Sequence, residues 1–141
     1  MKAILFALFV GLLMVGCGEQ VVNESKLQDR NGVMYIPNEE NPFTGRAESF
    51  YDNGQKEWEA NYKDGKVDGL WTDWYENGQK KAEANWKDGK EAGFTTAWYE
   101  NGQKQGEGHS KDGERHGVWI FYTEYGTELV RETYKDGIKV D

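Results

Sequence analysis

The side chains best suited to metal chemistry gather around one turn of this chain. Counting outward from Asp112-Gly113 as a two-residue loop puts Lys111 opposite Glu114 and His109 opposite His116, with Glu107 on the same face as Glu114. Two imidazoles and a carboxylate are donors that a divalent metal accepts, yet a strong site needs a third convergent ligand beside such a pair. His109, His116 and Glu107 are therefore a weak metal candidate. Equivalent positions elsewhere in the chain hold Asn61 with Asp68, Asn85 with Ala92 and Thr133 with Val140, so the histidine pair occurs at one turn alone. Other chemistry finds less support. Glu48 opposite Glu59, or Glu83 near Asp73, would pair carboxylates on an open ribbon, with no cleft to raise one pKa above the other as glycosidic acid–base catalysis requires. Ser25, Ser49 and Ser110 are the only serines, and neither histidine lies in a motif around them. Gly106-Glu107-Gly108 precedes no helix and so cradles no phosphate. The expectation is a protein that is not an enzyme, with no catalytic residues and no cofactor.

Cys17 offers chemistry of a different kind. It is the only cysteine, which excludes an intramolecular disulfide, and it follows Lys2 and an apolar run from Ala3 to Met14. That run is too short to span a bilayer and suits a signal-peptide core. Met14-Val15-Gly16-Cys17 resembles the bacterial lipoprotein signal, in which a small residue precedes a cysteine that is diacylated and becomes the new N-terminus; Met14 stands where that signal usually has Leu. Residues 1–16 are thus expected to be a signal peptide and Cys17 a lipidated residue. Gly18, where an Asp would favour the inner membrane, points to the outer membrane in a Gram-negative envelope. Residues 17–29 read as the lipidated cysteine and a polar tether, with the folded domain at 30–141. Val33-Met34-Tyr35-Ile36 looks like an opening strand, and Pro37 to Thr44 a loop into the first full unit.

The elements follow from a glycine lattice. Glycines fall at 45, 69, 93 and 117, at 54, 78, 102 and 126, and at 65, 89, 113 and 137, a period of 24 residues in units near 45–68, 69–92, 93–116 and 117–140. Asn-Gly at 53, 77 and 101 alternates with Asp-Gly at 64, 88, 112 and 136, and these pairs tolerate the positive φ of two-residue hairpin turns. Each unit is then strand, turn, strand, turn. The predicted fold is all-β: an elongated, single-layer antiparallel meander of hairpin repeats with about 9 to 10 strands.

Two-residue loops also predict a register. A loop at Asn77-Gly78 sets Tyr75 opposite Lys80, Trp74 opposite Lys81 and Thr72 opposite Glu83; a loop at Asp88-Gly89 sets Asn85 opposite Ala92, Ala84 opposite Gly93 and Glu83 opposite Phe94. One face then collects Leu70, Thr72, Trp74, Lys81, Glu83, Phe94, Thr96 and Trp98, and the other Trp71, Tyr75, Ala82, Ala84, Trp86, Thr95 and Tyr99. Both faces carry aromatics and charge, which suits one layer rather than a sandwich. Phe50, Trp74, Trp98 and Tyr122 recur on one face about 9 to 10 Å apart, with Glu57, Lys81 and Gln105 between them, and Lys81 over Trp74. On the other face Ala60 beside Gly69, Ala84 beside Gly93 and Gly108 beside Gly117 make troughs for rings such as Trp71 and Trp86. Rings repeated in every unit serve stacking first; the ladder of Phe50, Trp74, Trp98 and Tyr122 is also the candidate binding face.

Without residues 1–16, sixteen basic side chains face 25 acidic ones, a net charge of about −9. That balance excludes the counterion-releasing Lys/Arg clusters of nucleic-acid binding and the polybasic patch of anionic-lipid adsorption. It favours a basic protein partner.

Tyr75-Glu76-Asn77-Gly78-Gln79-Lys80, Asn85-Trp86-Lys87-Asp88-Gly89-Lys90 and Gly69-Leu70-Trp71-Thr72-Asp73-Trp74-Tyr75 resemble the MORN-type repeat of its second, bacterial variety, and Asn41-Pro42-Phe43-Thr44-Gly45 is similar to the start of such arrays. The likeness covers roughly residues 30–140. Many such proteins are labelled YwqK-family antitoxins. The resemblance implies an all-β scaffold that binds other molecules and assigns no catalytic residue. Thr123-Glu124-Tyr125-Gly126-Thr127 departs from the pattern, as a terminal cap would. Together these features predict a lipid-anchored, non-enzymatic envelope protein that binds a protein, in an antitoxin- or immunity-like role. The alternative is a glycan- or peptidoglycan-binding protein using exposed Trp rings and carboxylates.

Overall fold

The computed structural model describes residues 19–141; the expected signal peptide and Cys17 lie outside them. Among the described residues there is one short 3-10 turn, Glu24–Lys26, and otherwise strands: β1 Val21–Asn23, β2 Gln28–Asp29, β3 Met34–Tyr35, β4 Gly45–Phe50, β5 Lys56–Lys63, β6 Lys66–Trp74, β7 Lys80–Lys87, β8 Lys90–Trp98, β9 Lys104–Lys111, β10 Glu114–Tyr122, β11 Glu128–Lys135 and β12 Ile138–Lys139. From β4 to β12 neighbours in sequence are neighbours in one ten-stranded sheet, as the meander requires; β1 joins its start by pairing parallel with β4.

The Asp-Gly turns behave as their residues demand. Asp64 and Gly65 have φ of 50° and 77°, Asp88 and Gly89 of 48° and 80°, so both central residues are left-handed and Lys63 faces Lys66, Lys87 faces Lys90. The Asn-Gly turns do not. Only the glycine is left-handed there, as at Gly78 (φ 82°), while the Gly78 N–H donates to Tyr75 O and the Tyr75 N–H to Gln79 O. That is a type I turn closed by a left-handed glycine, a longer loop than the two-residue one predicted. The extra residue is absorbed in a bulge: Trp74 pairs with Lys80 and Asp73 with Ala82, correcting the expected Tyr75–Lys80 and Trp74–Lys81 pairs, whereas Thr72 still faces Glu83.

A second irregularity lies at the strand glycines. Gly69 and Gly93 have φ of 118° and 121°, and the register slips beside each, so that Ala60 faces Trp71, Ala84 faces Thr95, Glu83 faces Thr96 and Gly108 faces Trp119. The expected Ala60–Gly69, Ala84–Gly93, Gly108–Gly117 and Glu83–Phe94 neighbours are corrected accordingly. Because this slip moves the pairing by two positions, most side chains keep their predicted face.

Hydrogen bonds between turns tie the units together. Gly65, Gly89, Gly113 and Gly137 N–H groups donate to the carbonyls of Phe43, Val67, Glu91 and Arg115 in the preceding strand pair. On the other margin Tyr51, Tyr75 and Tyr99 hydroxyls donate to the carbonyls of Trp74, Trp98 and Tyr122 at 2.7–2.9 Å, and Asn53, Asn77 and Asn101 side-chain amides to those of Glu76, Glu100 and Glu124. Each such bond contributes about 1 kcal/mol net.

The sheet is one layer except at its start. Phe43, Ala47, Ala60 and Tyr62 form a small buried core, against which Val22, Leu27, Met34 and Ile36 from the N-terminal segment and Trp58, Val67 and Trp71 from the sheet pack. Residues 21–29 are therefore not a tether: Val21–Asn23 is a strand of the main sheet and Leu27 a core neighbour. The apolar residues at 22, 27, 34 and 36 cover the first hairpin because its Ala and Gly positions leave Phe43 and Tyr62 otherwise open to water. Met34–Tyr35 pairs with β2, not with the repeat sheet.

Candidate binding faces

Phe50, Trp74, Trp98 and Tyr122 each end the strand before a turn, and the bulge there pairs them with Lys56, Lys80, Lys104 and Glu128. The interleaving side chains are thus Lys56, Lys80 and Lys104 rather than Glu57, Lys81 and Gln105. The Lys56 ammonium lies 5.6 Å from the Trp74 ring centroid and that of Lys80 5.8 Å from Trp98, while Lys81, carried to the opposite face, lies 5.8 Å from Tyr75. Glu57 likewise sits on the opposite face, accepting from the Ser49 hydroxyl at 3.0 Å. One residue of bulge flips the assignment of every lysine in the ladder.

Each ladder lysine also reaches a carboxylate three residues on: Lys56 with Glu59 at 2.6 Å, Lys80 with Glu83, and Lys104 with Glu107 at 2.7 Å. A row of lysine–glutamate pairs threads the aromatics, with the period of the repeat. At its end the Tyr122 hydroxyl donates to Glu107 at 2.8 Å. The Lys104 ammonium, and after it the Tyr122 hydroxyl, hold the Glu107 carboxyl below its ordinary range, and the bond to Glu107 pushes the Tyr122 hydroxyl up. Along the same face run Leu70, Phe94 and Val118, exposed by 38%, 44% and 47%, and between the two rows Thr72 and Thr96 are buried. These exposed apolar residues and the lysine row were legible in the 24-residue spacing of 70, 94 and 118 and of 56, 80 and 104.

The other face is built from large rings laid over small residues. Trp58 stacks on Trp71 at 4.9 Å, Trp71 meets Trp86 at 5.9 Å, and Trp119 stacks on Phe121 at 6.2 Å. Trp119 lies on Gly108 and Phe121 on Gly106, so the idea of glycine troughs under rings holds for different glycines than Gly69 and Gly93, over which Asn61 and Asn85 lie instead.

His109 and His116 are Cα partners, as the turn at Asp112-Gly113 predicts. Glu107 is not brought to them, being held by Lys104 and Tyr122. The His109 ring meets Phe94 edge-on at 5.2 Å, and His116 Nδ1 lies 3.3 Å from an Asp136 oxygen. Among the described residues no three His, Cys, Asp or Glu side chains converge as metal ligands.

Comparison with curated proteins finds no match for this chain. Three of its segments do find one: residues 43–66, 67–88 and 95–112 are each similar to the family model of the MORN repeat variant, and the consecutive hairpins they build belong to an all-β repeat sheet.

Proposed function

We propose that this chain is a lipid-anchored, non-enzymatic scaffold of the bacterial cell envelope whose ladder face holds a basic protein partner. One observation carries the reading: the exposed apolar row Leu70–Phe94–Val118 runs beside the ladder Phe50–Trp74–Trp98–Tyr122, of which Phe50 is exposed and the other three half-buried, on one face of the sheet and in a chain of net negative charge. Exposed apolar rows of this kind suit protein contact, and the acidic surround steers a basic partner to them. The lysine over each Trp ring favours a protein over a glycan at this face, because a sugar needs the bare ring face that the ammonium occupies. An anchor at Cys17 would place the domain beyond the inner membrane, where an antitoxin- or immunity-like role is directed at an exported toxin rather than a cytosolic one.

The test is capture of a proteinaceous envelope component by the described domain, compared with Trp74→Ala and with binding to purified peptidoglycan. Association that slows as salt rises and weakens in Trp74→Ala agrees with the proposal. Peptidoglycan binding that salt leaves unchanged overturns it in favour of the glycan reading.

A further inference from the structure

Opposite the ladder, the last two hairpins break the repeat at the positions that surround one cavity. Arg115 stands where earlier units have Val67 and Glu91, Phe121 where they have Asp73 and Ala97, and Gly106 where they have Trp58 and Ala82, while Trp119 repeats the Trp71 of an earlier unit, here over Gly108 in place of Ala60. A feature present in every unit is what stacking needs; stacking does not ask for departures clustered around a hollow.

The cavity measures about 540 Å³, and Ala97, Gly106, Phe121, Val130, Glu132 and Arg115 line it. Trp119 and Phe121 form its apolar wall, lying flat on Gly108 and Gly106. Over them rests the Arg115 guanidinium, 4.7 Å from the Trp119 centroid, 5.1 Å from Phe121 and 5.3 Å from Tyr134, donating to the Tyr134 hydroxyl at 3.2 Å. Rings beneath a guanidinium fix its plane and leave its remaining N–H groups directed outward. Among the described residues no carboxylate lies within ion-pairing distance of Arg115. Glu132, at the cavity wall, has one oxygen on the Lys139 ammonium at 2.7 Å and the other on the Tyr134 hydroxyl. With Glu132 balanced by Lys139, Arg115 leaves a local positive charge in a chain whose net charge is −8.

We propose that this cavity binds a carboxylate carrying a compact apolar or flat body, its oxygens on the open edge of Arg115 and its body against Phe121, Val130 and Ala97. That chemistry has two sources, a small organic acid or the free C-terminal carboxylate of a polypeptide ending in an apolar residue. Tyr122, the last rung of the ladder, also borders this cavity.

Titration calorimetry of the full chain with 3-phenylpropionate against 3-phenylpropionamide, and with acetyl-Ala-Ala-Leu against its C-terminal amide, tests it. The acid of at least one pair binds about tenfold or more tightly than its amide, since a charge-assisted bidentate pair is lost on amidation. Equal binding of both acids assigns small organic acids, and binding of the peptide acid alone assigns a polypeptide end. Arg115→Gln abolishes the difference between acid and amide. Val130→Glu, at the exposed lip, weakens the acid by like-charge repulsion and decides the matter if circular dichroism shows Arg115→Gln unfolded. No binding by any of the four at millimolar concentration, acid and amide binding alike, or acid preference surviving in a folded Arg115→Gln or unchanged in Val130→Glu overturns the proposal.

Discussion

A β-carbon placed on Gly108 would stand 2.4 Å from the Trp119 ring, so Gly108→Ala must push the ring off its seat; thermal melts should show a loss of about 1–3 kcal/mol, the cost of overpacking. Gly89 is a backbone case instead, with φ at +80° and only the Lys66 side chain at the edge of contact. Gly89→Val should destabilise by about 1–3 kcal/mol while Lys90→Thr changes stability by less than about 0.5 kcal/mol, and equal melting points for the two would contradict the turn geometry. Glu107 supplies the pH dependence. Its depressed folded pKa, set first by Lys104 and then by Tyr122, adds stability that is present above the unfolded value of about 4.3 and is lost as pH falls through the lower folded value. Acid titration of folding should therefore be shallower in Lys104→Met than in the wild type over that window.

At the scale of the hairpin, the asparagine of each Asn-Gly turn works through its side chain rather than its backbone. Asn77 accepts from the Gln79 N–H at 2.9 Å within its own turn and donates to Glu100 O at 3.1 Å in the next. Asn77→Asp keeps the first bond and loses the second, whereas Asn77→Ala loses both; each bond should cost about 0.5–1.5 kcal/mol, giving melting temperatures in the order wild type, Asp, Ala. An Asp variant as stable as wild type would mean that the bond between units is worthless. The Asp-Gly turns were legible in the sequence because both of their conformational demands sit on adjacent residues. The bulges were not, since an extra residue at Lys80-Lys81 or beside Gly93 shows only when two strands are laid together, and that is why Lys81 was placed over Trp74 when Lys56 holds the position.

Among the described residues, the main contacts of the sheet run between strands adjacent in the meander, with cover at one end. The first hairpin carries β1 and the chain over its core, whereas the last exposes Leu129, Ile138 and Val140 by 68%, 70% and 57% and pairs its outer strand with only two residues of β12. Hydrogen exchange should consequently be slowest in β5 to β8 and fastest in β11, a gradient expected of a one-dimensional array. Leu27→Ala should destabilise by about 1–2 kcal/mol through the half-buried contact it loses, an effect absent if residues 21–29 were merely a tether. At the membrane, wild-type protein should partition into detergent and Cys17→Ser should stay unprocessed; identical partition and mature mass would remove the anchor from the proposed function.

Glycine spacing and Asp-Gly chemistry determined the meander, the strand number and the two-faced distribution of aromatics, because turn propensity and period-2 alternation are local properties that neighbours in sequence settle among themselves. The tertiary structure decided which lysine lies over which ring, that residues 21–36 close the first hairpin, and that Arg115, Trp119 and Phe121 meet around a cavity. Those outcomes depend on bulges and on contacts between segments distant in the chain, where one residue of slip moves a side chain across the sheet and no local preference opposes it.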